Sequence, residues 1–356
     1  MSPAGSVKRR ADRGRLGQNV SVEVNADDGR EPFGPPPPGI DATVAHPARI
    51  WNFWLGGRDW FKVDYAAGRS VAEEYPHLPS LARTQRAFLV RAVRYLAGPA
   101  RIRQFLDLGS GLPGGGNTHE IAQRIAPDTG VVYVDNDPMV LAHAKAILEA
   151  AREGDGFGSG AGLGVSGAAV TPAAVAAGLR GRPAEVTGTA LRTGPVTYVD
   201  ADLRDVGAVL RGAAATLSYT RPVAVIMLGV LGYIADYDAA RSVVRQLMEA
   251  LPAGSYLAIS DGVGTDDAVN RAHLRFGAAS DASVASVASV ASVAEPYTPR
   301  QPYTLRQPAE LAGFFDGLEL VPPGLVPCPE WKPDPGDARR SAAESAPAHC
   351  AIARKP

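Results

Sequence analysis

The stretch Arg103-Gln-Phe-Leu-Asp-Leu-Gly-Ser-Gly-Leu-Pro-Gly-Gly-Gly-Asn117 limits the folds open to this chain more than any other. Ile102, Phe105, Leu106 and Leu108 form a short apolar run that stops abruptly in glycines, the pattern of a strand buried on both faces. Gly109, Gly111 and Gly114 then remove side chains from the turn that follows. Asn117, with Glu120 three positions on, predicts an N-cap and its reciprocal partner for a helix through Ala126. Strand, glycine turn and helix N-terminus together predict a ligand cradle at the carboxyl edge of a parallel sheet.

Gly109-x-Gly111-x-x-Gly114 by itself suits the pyrophosphate of a dinucleotide. Asp107 argues otherwise. Two residues before the first glycine, its carboxylate would face those phosphates in a partly desolvated site, where like charges repel strongly. It suits a cationic ligand instead, such as the amino group and sulfonium of S-adenosylmethionine. Asp107-x-Gly109-x-Gly111 resembles the first motif of class I S-adenosylmethionine-dependent methyltransferases.

A strand and helix rhythm continues from the cradle. Val131 to Val134 reads as a second buried strand, closed by Asp135-Asn-Asp-Pro138, with Pro138 in the first turn of a helix. Asp135 directly follows that strand and is placed to accept both ribose hydroxyls of a nucleoside ligand, with Asn136 beside it; Asp137 reads as a helix cap. This spacing serves either cofactor. Val196 to Val199 predicts a third strand, and Asp205 the cap of the helix after it. Pro222 to Leu228 is the most hydrophobic strand and is therefore expected at the centre. Asp236 or Asp238 opens a helix from Ala239 to Leu251, stopped by Pro252-Ala-Gly254. Ser255 to Ser260 predicts a fifth strand, Leu305 to Phe315 a helix, Leu318 to Val321 a further strand and His349 to Arg354 a last one.

Outside this core the composition changes. Residues 1–45 are polar and rich in breakers, and are expected to be a disordered tail. Lys8, Arg9, Arg10, Arg13 and Arg15 lie there with no apolar stretch after them, so no secretory signal is read. Residues 46–100 are expected to form a helical N-terminal cap, with Pro76 and Pro79 marking a turn between helices. Trp51, Trp54 and Trp60 fall within it, consistent with either a packed cap or the wall of a ligand pocket. The run Arg83, Arg86, Arg91, Arg94, Arg101 and Arg103 reads as a solvated helix face without an assigned function. Residues 101–356 are expected to form the main domain. Gly/Ala/Ser-rich residues 151–194, and 278–296 with their four Ser-Val-Ala copies, read as flexible insertions into it.

A formal net charge of -1 provides no global field toward nucleic acid or an anionic membrane. The longest apolar run, Val223 to Ala235, is too short to span a bilayer. Cys328 and Cys350 have no metal-like spacing and no disulfide is indicated. The expectation is a cytoplasmic protein with a small-molecule partner, without nucleic acid, membrane or metal.

Assembled, these stretches resemble the S-adenosyl methyltransferase family found mainly in actinobacteria, long catalogued as a domain of unknown function. The resemblance rests on His46-Pro-Ala-Arg-Ile-Trp51 through Gly56-Gly57-Arg58-Asp59, Arg86-Ala-Phe-Leu89 through Val93-Arg-Tyr-Leu96, and Gln104 to Pro113. It continues through Asn117-Thr-His-Glu120, Val132 to Pro138, Val199 to Asp205 and Phe314 to Val326. It implies an α/β fold: a Rossmann-like seven-stranded methyltransferase sheet, mostly parallel with an antiparallel last strand, plus a helical N-terminal cap. It also implies S-adenosylmethionine as cofactor, held by Asp107, Gly109, Ser110, Gly111, Gly114, Asp135 and Asn136, with Asp202 and Leu203 at the adenine. Trp51, Trp54 and Tyr233 would line the acceptor side, toward an unidentified methyl acceptor of small-molecule type. No catalytic residue follows, because an acceptor that arrives deprotonated needs no base. Family members often carry histidine where this chain has Gly232, which keeps open a cofactor-binding sensor or scaffold without turnover. A dinucleotide-dependent oxidoreductase is motivated only by the glycine spacing.

Overall fold

The computed structural model describes residues 36, 40–74, 77–112, 116–142, 194–264, 303–334 and 348–356. Gly114, the Ser-Val-Ala copies and nearly all of the two expected insertions and the N-terminal tail lie outside them. The chain divides into Met1–Glu31 and Pro32–Pro356, and the second unit carries all of the described architecture.

Five parallel strands form the body of one sheet: β1 (Gln104–Leu108), β2 (Gly130–Asp135), β3 (Val196–Asp200), β4 (Ala224–Leu228) and β5 (Tyr256–Gly262). Three more complete it: β6 (Glu319–Leu320), β7 (Val326–Pro327) and β8 (Ala348–Arg354). The order is β3-β2-β1-β4-β5-β8-β6, with β7 also on β8. β8 runs antiparallel to β5, and β6 and β7 pair with successive stretches of it, Leu320 opposite Ala353 and Val326 opposite Cys350. β6 and β7 thus act as one interrupted edge, and the expected sheet with its antiparallel last strand is the one observed.

The apolar runs read as doubly buried strands are covered on both faces. Seven helices are used below: α1 (Pro47–Trp54), α2 (Lys62–Glu74), α3 (His77–Ala97), α4 (Thr118–Ile125), α5 (Val206–Ala213), α6 (Tyr237–Ala250) and α7 (Pro308–Ala312). Successive strand residues point to opposite sides. Phe105, Val131, Tyr133 and Ile226 pack with Phe88 and Leu96 of α3 and Ile121 of α4. Leu106, Leu108, Val132 and Met227 pack with Val209 of α5 and Val244 and Leu247 of α6. Each such large side chain, fully buried, contributes about 1.5–3 kcal/mol. The pleat places Asp107 on the α3 side, with Phe105.

Several local expectations are corrected. Pro79 does not mark a turn but lies in the first turn of α3, where its missing N–H costs nothing. The arginine run on α3 is a solvated face only in part: Arg83 and Arg94 are exposed, whereas Arg86 is half-buried. Arg91 is buried and donates from Nε to the Trp331 carbonyl at 2.9 Å and from Nη2 to the Cys328 carbonyl at 2.7 Å. Asn117 is the N-cap of α4, but its side chain makes no cap bond. Its Oδ1 accepts from Arg86 Nη2 at 3.1 Å and its Nδ2 donates to Glu120 at 2.9 Å. Glu120 accepts instead from the Gly116 amide, at 3.2 Å.

The His46-Pro-Ala-Arg49 stretch proves to be a fastening. Asp64 on α2 is fully buried and accepts from the His46 amide, the Phe61 amide and Arg49 Nε, each at 2.8 Å. The Arg49 guanidinium also donates to the carbonyls of Asp41 and Val44. One buried, fully bonded ion pair therefore fixes the start of α1 against α2.

Candidate active site

The parallel strands end along one edge, and there the chain encloses a cleft of about 870 Å³. Asp107, Gly109, Ser110, Gly111, Asp135, Asn136, Asp202 and Leu203 all line it, as do Trp51, Trp54 and Tyr233. Gly114 lies outside the described residues.

Two glycines make the turn after β1 possible. Gly109 has φ +65, and a Cβ there would lie 2.3 Å from Val230 Cγ1. Gly111 also has φ +65, with nothing within 4 Å of where its Cβ would be, so the backbone itself forms the floor. The Gly111 amide donates to Asp135 Oδ2 at 2.9 Å, and the Asp137 amide to Asp135 Oδ1 at 3.0 Å. Asp135 thereby joins the glycine turn to the end of β2. Ser110 Oγ is buried without a hydrogen-bond partner among the described residues.

Asp107 sits at the base of the cleft, 7 % exposed. Burial pushes its carboxyl up to about 6, against the opposing pull of a 2.6 Å bond from Thr118 Oγ1 and of Arg86. An acid of this kind is readily ionised by a cationic ligand. Asp137 caps the helical turn at Pro138, its Oδ1 accepting from the Met139 amide at 2.8 Å, as expected. Its Oδ2 lies 2.9 Å from His46 Nδ1, which brings the start of α1 onto the same loop. Asp202 lines the cleft with its carboxylate already facing Arg204, whose bonds hold it below the usual carboxylate range. Its neighbour Leu203 packs against the α5 and α6 side of the core.

The opposite wall is apolar and aromatic. Trp54 is both core anchor and cleft wall: it is 7 % exposed and its Nε1 donates to the Gly68 carbonyl at 3.1 Å. Trp51 lies against it with ring centroids 5.8 Å apart. Tyr233, in the single turn after β4, meets Tyr303 edge-on at 5.0 Å. The space beside Gly232 is filled by that same Tyr303: an added Cβ would be 2.4 Å from its ring. Buried Arg306 and Asp261 hold the turn, Arg306 donating to the Leu231 and Ile234 carbonyls and Asp261 accepting from the Leu231 and Gly232 amides. Asp236 caps α6 as expected, accepting from the Ala239 amide at 2.7 Å.

Among the cleft residues that sequence reasoning missed are His46, Gln85, Arg86 and Tyr303. A signal for Gln85 existed, since it interrupts the apolar helical stripe Leu78, Leu81, Leu89 and Ala92. Among the described residues no group of three or more His, Cys, Asp or Glu could hold a metal ion, and no helix is long and apolar enough to cross a membrane.

The family model for S-adenosyl methyltransferase matches residues 34–157 and 187–356. The chain belongs to this family. It is similar to the crystal structure of a DUF574 family protein from Streptomyces avermitilis, at 35% identity and TM-score 0.68, covering 89% of this chain and 99% of that one. It is also similar to a protein from Thermobifida fusca assigned as a methyltransferase, at 31% identity and TM-score 0.66, covering 90% and 98%. No curated protein matches. As a family member the chain is an S-adenosylmethionine-dependent methyltransferase, and its cofactor is S-adenosylmethionine. The cleft suits that cofactor: a bare glycine floor, an ionisable buried acid, a second acid at the end of β2 and an orphaned Ser110 hydroxyl.

Proposed function

We propose that the cleft holds S-adenosylmethionine along the β1, β2 and β3 ends and transfers its methyl group to a small molecule seated against the aromatic wall. The single observation that carries this reading is the convergence of the Asp107, Gly111 and Asp135 elements on one cleft whose other half is apolar. Asp107 attracts the ammonium of the methionyl end, and Arg86 beside it pairs with the carboxylate of that end. Asp135 accepts from the ribose hydroxyls, with Ser110 and Asn136 alongside. Asp202 and Leu203 border the adenine, the carboxylate shared with Arg204. Gly111 lets the backbone come within van der Waals contact of the ligand, while Gly109 makes room for Val230 beneath the turn.

When bound, the cofactor supplies an electrophilic methyl on a sulfonium, so the protein's part is alignment and exclusion of water. Trp51, Trp54, Tyr233 and Tyr303 perform the second task by lining the acceptor side with rings. The test is calorimetric titration with S-adenosylmethionine and with a nicotinamide dinucleotide, followed by incubation with methyl-labelled cofactor and a cell extract. Selective binding with label appearing in a low-mass product is expected. Dinucleotide binding in place of S-adenosylmethionine, or label only in macromolecules, would overturn the assignment of the site or of the acceptor respectively.

A further inference from the structure

Gln85 lies on the α3 stripe that faces the sheet, between Leu81 and Leu89, where the pattern calls for an apolar residue. Its side chain is buried, the residue being 4 % exposed, and its Nε2 has no hydrogen-bond partner among the described residues. An amide withdrawn from water without a partner is destabilising, so the residue is costly where it stands unless something else completes the bond. The amide sits against Gly229, the first residue after β4, with Oε1 3.3 Å from where a Cβ would be. Gly229 has φ +66 and turns the chain from the sheet toward Tyr233. Gln85 lines the cleft, so a missing partner would come from within it. The same cleft is walled by Trp51, Tyr233 and Tyr303, the two tyrosines set edge to face at 86°.

We propose that Gln85 orients the methyl acceptor, and that the acceptor is a flat aromatic small molecule bearing a hydroxyl or carbonyl oxygen that takes the Gln85 amide hydrogen bond. A slot of rings and leucines with one unmet amide selects that combination: the rings contribute area without direction, and the amide contributes direction. This rests on the reading of the cleft as a methyl-transfer site. Gln85 is a positioning and specificity residue; no proton transfer is assigned to it.

The test uses the full chain, first titrated with S-adenosylhomocysteine and then, saturated with it, with 2-naphthol and with naphthalene. The wild-type protein is expected to bind 2-naphthol about fivefold or more tightly than naphthalene, as one added hydrogen bond would produce. In Gln85→Leu that preference should shrink to within about twofold, with S-adenosylhomocysteine affinity unchanged to about the same factor. Thermal melting checks that the variant folds, and Gln85→Met is the substitute if it does not. Equal binding of the two probes by the wild type would overturn the proposal, as would a preference that survives in the variant. A loss falling on S-adenosylhomocysteine instead would assign the amide to the cofactor and also overturn it. Failure of the wild type to bind S-adenosylhomocysteine at all is seen in the first titration; it refutes the methyl-transfer reading itself, and this proposal with it.

Discussion

Lowering the pH from 7 to 5 should weaken S-adenosylmethionine binding about tenfold, and Asp107 should be the reason. Burial holds its carboxyl at about 6 in the free protein, so most copies are ionised at pH 7 and most are neutral at pH 5. If only the carboxylate attracts the ammonium, observed affinity scales with the ionised fraction. That fraction falls from about nine-tenths to about one-tenth across this interval, equivalent to about 1.3 kcal/mol. The sign is fixed: a cation favours the ionised acid, so affinity rises with pH through 6 and then levels off. The ligand's own amine, near pH 8, keeps its charge throughout the interval. Calorimetry in half-unit steps at constant ionic strength measures the curve, and buffers of different ionisation enthalpy measure the proton released, about half a proton per site at pH 6. Asp107→Asn should bind more weakly at pH 7 and show no such slope. A flat wild-type curve, or a slope retained in Asp107→Asn, would refute the reasoning.

Asp64→Ala would leave the Arg49 guanidinium buried without its carboxylate and should cost about 3–5 kcal/mol by urea denaturation; a change below about 1 kcal/mol would mean the pair is dispensable. Gly232→Ala puts a Cβ into the Tyr303 ring and should cost about 1–3 kcal/mol, much of it recovered when Tyr303→Ala is added. Strict additivity of the two changes would contradict that contact. Burial pushes the Asp261 carboxyl up to about 7, so its contribution to stability is complete below about pH 4 and declines as pH rises to 7. Asp261→Asn should remove a slope of at most about 1.4 kcal/mol per pH unit over that window, read from denaturation midpoints at successive pH values.

The sheet was legible because doubly buried strands write themselves as short apolar runs, as in Val131 to Val134 and Pro222 to Leu228. The glycine turn was legible because its backbone angles exclude most residues. What escaped were the long-range partners of polar side chains. Asn117 looks like a helix cap in one dimension, but Arg86, thirty-one residues earlier, takes its oxygen. Arg91 looks like one more surface arginine until residues far along the chain present their carbonyls to it. β7 was unreadable because two residues, Val326 and Pro327, carry no periodicity. The two cysteines, uninformative by spacing, come into hydrogen-bond contact because β7 brings Cys328 beside β8 and Cys350. At Gly232 the sequence shows only a missing side chain; the ring that fills its place arrives from seventy-one residues away.

The described residues on either side of 265–302 meet at nearly one point. Val263 bridges Arg306, and the Gly264 amide donates to the Arg306 carbonyl at 3.1 Å. Whatever length of chain lies between is therefore closed at its base before it begins. Ring-closure entropy grows only with the logarithm of length, so doubling such a segment costs about 0.6 kcal/mol. The Ser-Val-Ala copies fall in this interval. With the clasp holding Tyr303 in register, a change in the number of copies costs the fold little and leaves the wall of the cleft in place.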